Sequence, residues 1–148
     1  MHVIVATDGS RQSLVAARHF MSFADPAKVD EVSVVAVVSP LASVPFTDEL
    51  GDKCSDAPAR RGFRGEAESA VRVVGAELQA WGVAAVHRRI LSGSPAAEIV
   101  RAAKELRADL IVVASGNRGL SDTILLGSAA QRVQHSAPCP VLVSRPRR

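Results

Sequence analysis

Val3-Ile4-Val5-Ala6, running straight into Thr7-Asp8-Gly9-Ser10, is the stretch on which the fold turns. Val3, Ile4 and Val5 are β-branched, so the run reads as a buried strand, and the polar tetrapeptide behind it is turn chemistry. Leu14, Ala17, Met21 and Ala24 then recur at helical spacing, and Asp25-Pro26 stops that helix. Strand, short polar loop and helix make the opening of a βα unit.

The rest of the chain repeats that alternation. Val32 to Val38 is a second apolar run with little polar interleaving, which predicts a strand covered on both faces. Ala67, Ala70, Val71, Val74, Leu78 and Trp81 mark one face of a second helix, with Gly82 as its terminating residue. Val83 to Ile90 reads as a third strand. His87, Arg88 and Arg89 place it near a sheet edge. Ser94 and Pro95 suit the cap and first position of a third helix, buried through Ala96, Ile99, Ala103 and Leu106, with Arg101 and Glu105 paired across a turn. Leu110 to Ala114 is the most apolar strand and is expected at the centre. Ala129, Ala130 and Val133 support a short last helix, which Pro138-Cys139-Pro140 ends before a fifth strand, Val141 to Val143.

Alternating strands and helices imply one α/β domain over residues 1–148, with a mostly parallel sheet and helices on both faces. Residues 40–65, rich in Pro, Gly and charge, are expected to form a long variable loop with room for a short helix, with a lid over the pocket as a hypothesis, and 145–148 a basic tail. Ligands in such sheets bind beyond the carboxyl ends of the strands. The loops after residues 6, 38 and 114 therefore meet in space if the first and fourth strands are neighbours.

Composition narrows the function. Hydrophobic residues make up 47% of the chain, enough for an ordinary core without a metal or disulfide staple. Lys plus Arg total 18 against 15 Asp plus Glu, and the cluster Arg60, Arg61 and Arg64 stands among Asp52, Asp56, Glu66 and Glu68. That is a mixed-charge solvated segment rather than a phosphate-tracking groove, so no nucleic acid partner is expected. Cys54 and Cys139 fit no metal-ligand spacing, and no run approaches a membrane span or a signal peptide. A soluble, cytoplasmic protein with no membrane partner is the expectation.

The candidate chemistry sits in the loops. Asp8 could accept hydrogen bonds from ribose hydroxyls or a base amine, although Asp-Gly-Ser is equally ordinary turn and capping chemistry. Gly116, Gly119 and Gly127 with Ser128 could cradle phosphate beside helix amides, and Arg118 could add a charge-assisted bond or point into water. Neither a Walker pattern nor the dinucleotide glycine fingerprint is present. No catalytic residues are assigned: His2, His19, His87 and His135 lack motif-like partners, Ser10 and Ser13 are explained by capping, and Trp81 reads as core.

Together these segments carry a resemblance. Val5-Ala6-Thr7-Asp8-Gly9-Ser10 with Ser13 and Ala17, Gly93 to Val100, Ala108 to Val113, and Leu126-Gly127-Ser128 through Ala137-Pro138-Cys139-Pro140-Val141-Leu142-Val143 are similar to the universal stress protein family. The resemblance covers nearly all of the chain outside residues 40–65. It implies a three-layer, Rossmann-like fold, a five-stranded parallel sheet of order 3-2-1-4-5 with helices on both faces. It implies homodimers paired through the last strand, here Val141, Leu142 and Val143. It also implies a stress-response regulator that binds ATP at the ends of strands 1 and 4 without strong catalysis. Ala6 and Thr7 would line the pocket, Asp8 would meet the adenosine, and backbone near Val38 the base. Gly116, Gly119, Gly127 and Ser128 would take ribose and phosphates. A Mg²⁺ or Mn²⁺ ion would accompany the triphosphate, for which the sequence holds no carboxylate cage and therefore no assigned metal ligand.

One departure stands out. The binding members of the family share G-x2-G-x9-G-[ST], and here seven residues, 120 to 126, separate Gly119 from Gly127. Two extended residues span about 6.6 Å, close to the width of a phosphate with its contacts. The departure keeps open a member that binds no nucleotide and acts through dimerisation and protein contacts. A slow ATP hydrolase using Asp8 is the third reading.

Overall fold

The structure is a computed structural model and describes residues 1–38, 57–116 and 128–145, with backbone alone at 57–61 and 63. The chain runs β1 (His2–Thr7), α1 (Arg11–Phe23), a 3-10 turn (Pro26–Lys28), β2 (Glu31–Val38), α2 (Ala57–Trp81), β3 (Ala85–Ser92), α3 (Pro95–Glu105), β4 (Leu110–Ala114), α4 (Ser128–Ser136) and β5 (Val141–Ser144). The five strands form one sheet in the order β3-β2-β1-β4-β5, and each described pairing is parallel. This is the order that the resemblance implies.

β1 is the axis of the sheet. Val5 pairs with Val34 on one side and Val112 on the other. Successive strand residues face opposite sides, so both faces need covering and both sets are apolar. Val3 and Val5 enter one core with Ala16, Ala17 and Phe20 of α1 and Val71, Val74 and Leu78 of α2. Ile4 enters the other with Ile99 and Ala103 of α3 and Val133 of α4. Phe20 and Trp81 meet edge-on at 5.6 Å between ring centroids and join α1 to α2, which bears out Trp81 as a packing residue.

Three local expectations change. α2 is longer than its apolar face from Ala67 indicated: it begins at Ala57, inside the 40–65 stretch expected to be a long loop with a short helix at most. Pro58 falls in its first turn, where a missing N–H costs nothing. Gly62 and Gly65 lie inside α2 at a cost of only about 1 kcal/mol each within a helix, and Arg64 pairs with Glu68 one turn on at 3.4 Å. The rest of the expected loop and its lid, residues 40–56, lie outside the described residues. β3 starts at Ala85 because Gly82, at φ +111°, turns Val83 into the core instead of the strand. Ser94 occupies the N-cap of α3 with no side-chain capping bond, so Pro95 alone marks that helix start.

Arg18 of α1 grips Glu77 of α2 with both ends of its guanidinium, at 2.9 and 2.5 Å. This hydrogen bond holds the Glu77 carboxyl below the usual carboxylate range, against a smaller opposing effect of burial. A depressed folded pKa stabilises fully above the unfolded value of about 4.3 and loses that stabilisation as the pH falls through the folded one. Glu77→Gln is therefore expected to lower the melting temperature modestly at pH 7. The gap to the unsubstituted chain should close below about pH 4 in a thermal melt series; a gap independent of pH would show that the carboxylate does not stabilise the helix pair.

Candidate functional site

The strand order reverses between β1 and β4: β2 and β3 lie to one side of β1, β4 and β5 to the other. The chain leaves those two central strands toward different helices, which opens a crevice at their carboxyl ends. A cavity of about 790 Å³ occupies it. That is ample for a small organic ligand, since such sites run about 300–1,000 Å³.

Ala6, Thr7 and Asp8 enter from the end of β1, Gly116 from beyond β4, and Ser128 from the first position of α4. Five of the residues picked from sequence therefore share one cavity. Val38 does not line it. Val35 and Val37 do, because alternate residues of β2 face opposite sides and Val38 has the wrong parity. The Val38 carbonyl accepts the Gly93 N–H at 3.0 Å, which leaves it one lone pair for another donor. Arg118, Gly119 and Gly127 lie outside the described residues.

The first loop is built by hydroxyl bookkeeping. Ser10 caps α1, accepting the Ser13 N–H at 3.2 Å. The Ser13 hydroxyl donates to the Ser10 carbonyl at 2.8 Å. Its one proton is thereby used, so in the 2.8 Å contact with Thr7 it is the Thr7 hydroxyl that donates. Thr7 also accepts the Gly9 N–H at 3.2 Å. Gly9 sits at φ +79°, a left-handed conformation that favours glycine. Asp8 Oδ1 accepts the Ser10 N–H at 2.9 Å, the turn role weighed from sequence. The Asp8 side chain is exposed and on the cavity, so it keeps acceptor capacity for a ligand.

The opposite wall is apolar: Val35 and Val37 of β2, Pro95 and Ile99 of α3, Val113 of β4 and Val133 of α4. Periodicity marks several of these as core but not as cavity. The strand-end rule, applied to β2 through the loop after residue 38, reaches the right strand end but not the parity that selects Val35 and Val37, and it does not reach the helical residues Pro95, Ile99 and Val133. Gln131, one turn into α4, also lines the space and carried no sequence signal.

The remaining reactive groups lie elsewhere. His2, at the start of β1, bonds Ser33 at 2.9 Å and approaches Glu31 at 3.1 Å. His87 meets the same carboxylate at 3.2 Å. His19 reaches the buried Ser144 hydroxyl at 3.3 Å. Burial, then the charge of Asp109, pushes the Cys139 thiol up; Cys54 is outside the described residues. Among the described residues no group of three or more His, Cys, Asp or Glu is placed to hold a metal ion. Nor is any helix among them long and apolar enough to cross a membrane.

Comparison with known proteins follows the same lines. The family model described as "Universal stress protein family" matches residues 1–145. A universal stress protein of Methanocaldococcus jannaschii is 35% identical over 142 residues, which covers 95% of this chain and 79% of that protein. Among solved structures, the hypothetical protein MJ0577 aligns with a TM-score of 0.78 at 25% identity, over 99% of this chain and 96% of that one. A universal stress protein solved in complex with cAMP aligns with a TM-score of 0.70 at 26% identity, over 97% of this chain and 96% of the other.

Removing the Ser13 hydroxyl takes away the acceptor of the buried Thr7 hydroxyl. Ser13→Ala is expected to cost about 1–3 kcal/mol in urea unfolding, the range for stranding a buried polar group. An unchanged midpoint would mean that Thr7 finds another partner and the network does not hold the loop.

Proposed function

The chain belongs to the universal stress protein family, and we propose that its cavity binds an adenine nucleotide in a regulatory rather than a catalytic role. One observation carries the reading. The Asp8 carboxylate, the Gly116 backbone and the first turn of α4 open onto the same apolar-walled space of about 790 Å³. A nucleotide has matching parts: an apolar-faced base, hydroxyls that donate to a carboxylate, and phosphates that accept from helix amides.

Like charges sort the two ends. Asp8 repels phosphate and accepts from ribose or a base amine, so the adenosine belongs on the β1 side. The phosphates then belong at Ser128 and the α4 amides, with Gly119, Gly127 and Arg118 as further phosphate-side candidates. Val35 and Val37 flank the base, with the free lone pair of the Val38 carbonyl as an acceptor. The related protein solved with cAMP supports a nucleotide of this general kind. ATP is the ligand that the family resemblance implies. The described residues offer no carboxylate cage for Mg²⁺ or Mn²⁺, so any divalent ion would arrive on the triphosphate.

Calorimetric titration with ATP and with adenosine tests this. Saturation near one ligand per chain is expected, and Asp8→Ala should weaken both ligands about tenfold to a hundredfold, the cost of a lost charge-assisted hydrogen bond. No heat and no thermal stabilisation with either ligand would sink the proposal. The contracted Gly119 to Gly127 spacing favours that outcome, a member acting through protein contacts alone. Turnover lost in Asp8→Ala with binding retained would instead mark a slow hydrolase.

We further propose a homodimer through β5. Among the described strands β5 pairs on one side only, and its Val141, Leu142 and Val143 stay half-buried. A second copy would cover that apolar edge. The chain should sediment as a dimer and Val143→Lys as a folded monomer; a monomeric unsubstituted chain would rule the interface out.

A further inference from the structure

The cavity has polar groups of two kinds. Thr7, Ser10 and Ser13 are committed to one another by the hydrogen bonds that shape the first loop. Two polar side chains on the wall stand wholly outside that network, Ser128 and Gln131, and Asp8 joins it through one carboxylate oxygen at the Ser10 N–H. Ser128 and Gln131 stand three residues apart on α4, so they share a helix face and both border the cavity. Among the described residues nothing bonds to the Gln131 carboxamide. The first amides of α4 have no partner within the helix, and the residue before it in sequence, Gly127, has no side chain with which to cap them.

Resting on the nucleotide reading above, we infer that Gln131 reads the phosphate end of the ligand and sets how much phosphate charge the cavity accepts. The α4 wall offers donors of one character: backbone N–H groups, the Ser128 hydroxyl and the Gln131 carboxamide. All are neutral apart from the partial positive charge of the helix end, about half an elementary charge. Asp8, the ionised group on the far side, takes no phosphate. A carboxamide donates two N–H groups without adding charge, so it holds a phosphate oxygen yet does nothing to offset each further phosphate. A charge placed at this position acts in proportion to the phosphate charge and leaves the adenosine contacts alone. Gln131 is exposed on its helix, so exchanging it disturbs no packing.

The test compares ATP with adenosine, because the two share every contact on the Asp8 side. Both are titrated by calorimetry into the unsubstituted chain, Gln131→Lys and Gln131→Glu, at low salt and with EDTA so that no divalent ion masks the phosphates. The readout is Kd(ATP) divided by Kd(adenosine). Gln131→Lys is expected to lower that ratio about five- to tenfold and Gln131→Glu to raise it by a similar factor, with adenosine affinity unchanged in both. Equal ratios in all three proteins would overturn the assignment while leaving the nucleotide reading in place. If neither ligand binds the unsubstituted chain, the nucleotide reading itself fails and the role of Gln131 goes with it.

Discussion

Parallel pairing of β1 with β2 on one edge and β4 on the other is the constraint from which the rest of the structure follows. A strand bonded on both edges and covered on both faces has no surface left for water, so Val3, Ile4 and Val5 are each fully buried. Parallel neighbours cannot be joined by tight turns, which forces a helix into each crossover. Those helices must then divide between two faces: α1 and α2 over Val3 and Val5, α3 and α4 over Ile4. The crevice at the carboxyl end is the geometric residue of that division, because β1 and β4 send the chain away to different helices.

The residues in the crevice divide the work. Thr7, Ser10 and Ser13 turn their hydroxyls inward and fix the loop, with Thr7 and Ser13 buried. Their bonding uses the Thr7 and Ser13 protons and leaves the Ser10 hydroxyl proton for a further acceptor. Asp8 stands between the two roles, since one carboxylate oxygen holds the turn at the Ser10 N–H and the carboxylate as a whole still faces the cavity. A rigid loop carrying one ionised acceptor, opposite a helix end carrying neutral donors, gives the site a polarity. That polarity orients a ligand before any shape complementarity acts.

Much of the fold was legible in the chain itself. The β-branched runs at Val3, Val32 and Leu110 gave strands, and Ala70, Val71, Val74 and Leu78 gave the buried face of α2, because local burial imposes a period that a sequence must display. Boundaries were less legible where a residue has both a local and a tertiary use. The apolar face of α2 was read from Ala67, and the helix begins ten residues earlier, at Ala57. Val83 looked like strand and is core. Ser94 looked like a capping side chain and makes no capping bond. Local preferences of about 1 kcal/mol do not fix such boundaries by themselves.

The sequence by itself determined the order of elements, the family and the position of Asp8 and Ser128, since each of these is written in contiguous residues or short spacings. Tertiary structure alone decided which residues share the cavity. Val37 lines it and Val38 does not, by the parity of one strand. Pro95 and Ile99 join from a helix that begins more than fifty residues beyond β2, and Gln131 from the far end of the chain. A cavity wall is assembled from elements that meet only after the sheet closes, and no local period records which of their residues will face one another.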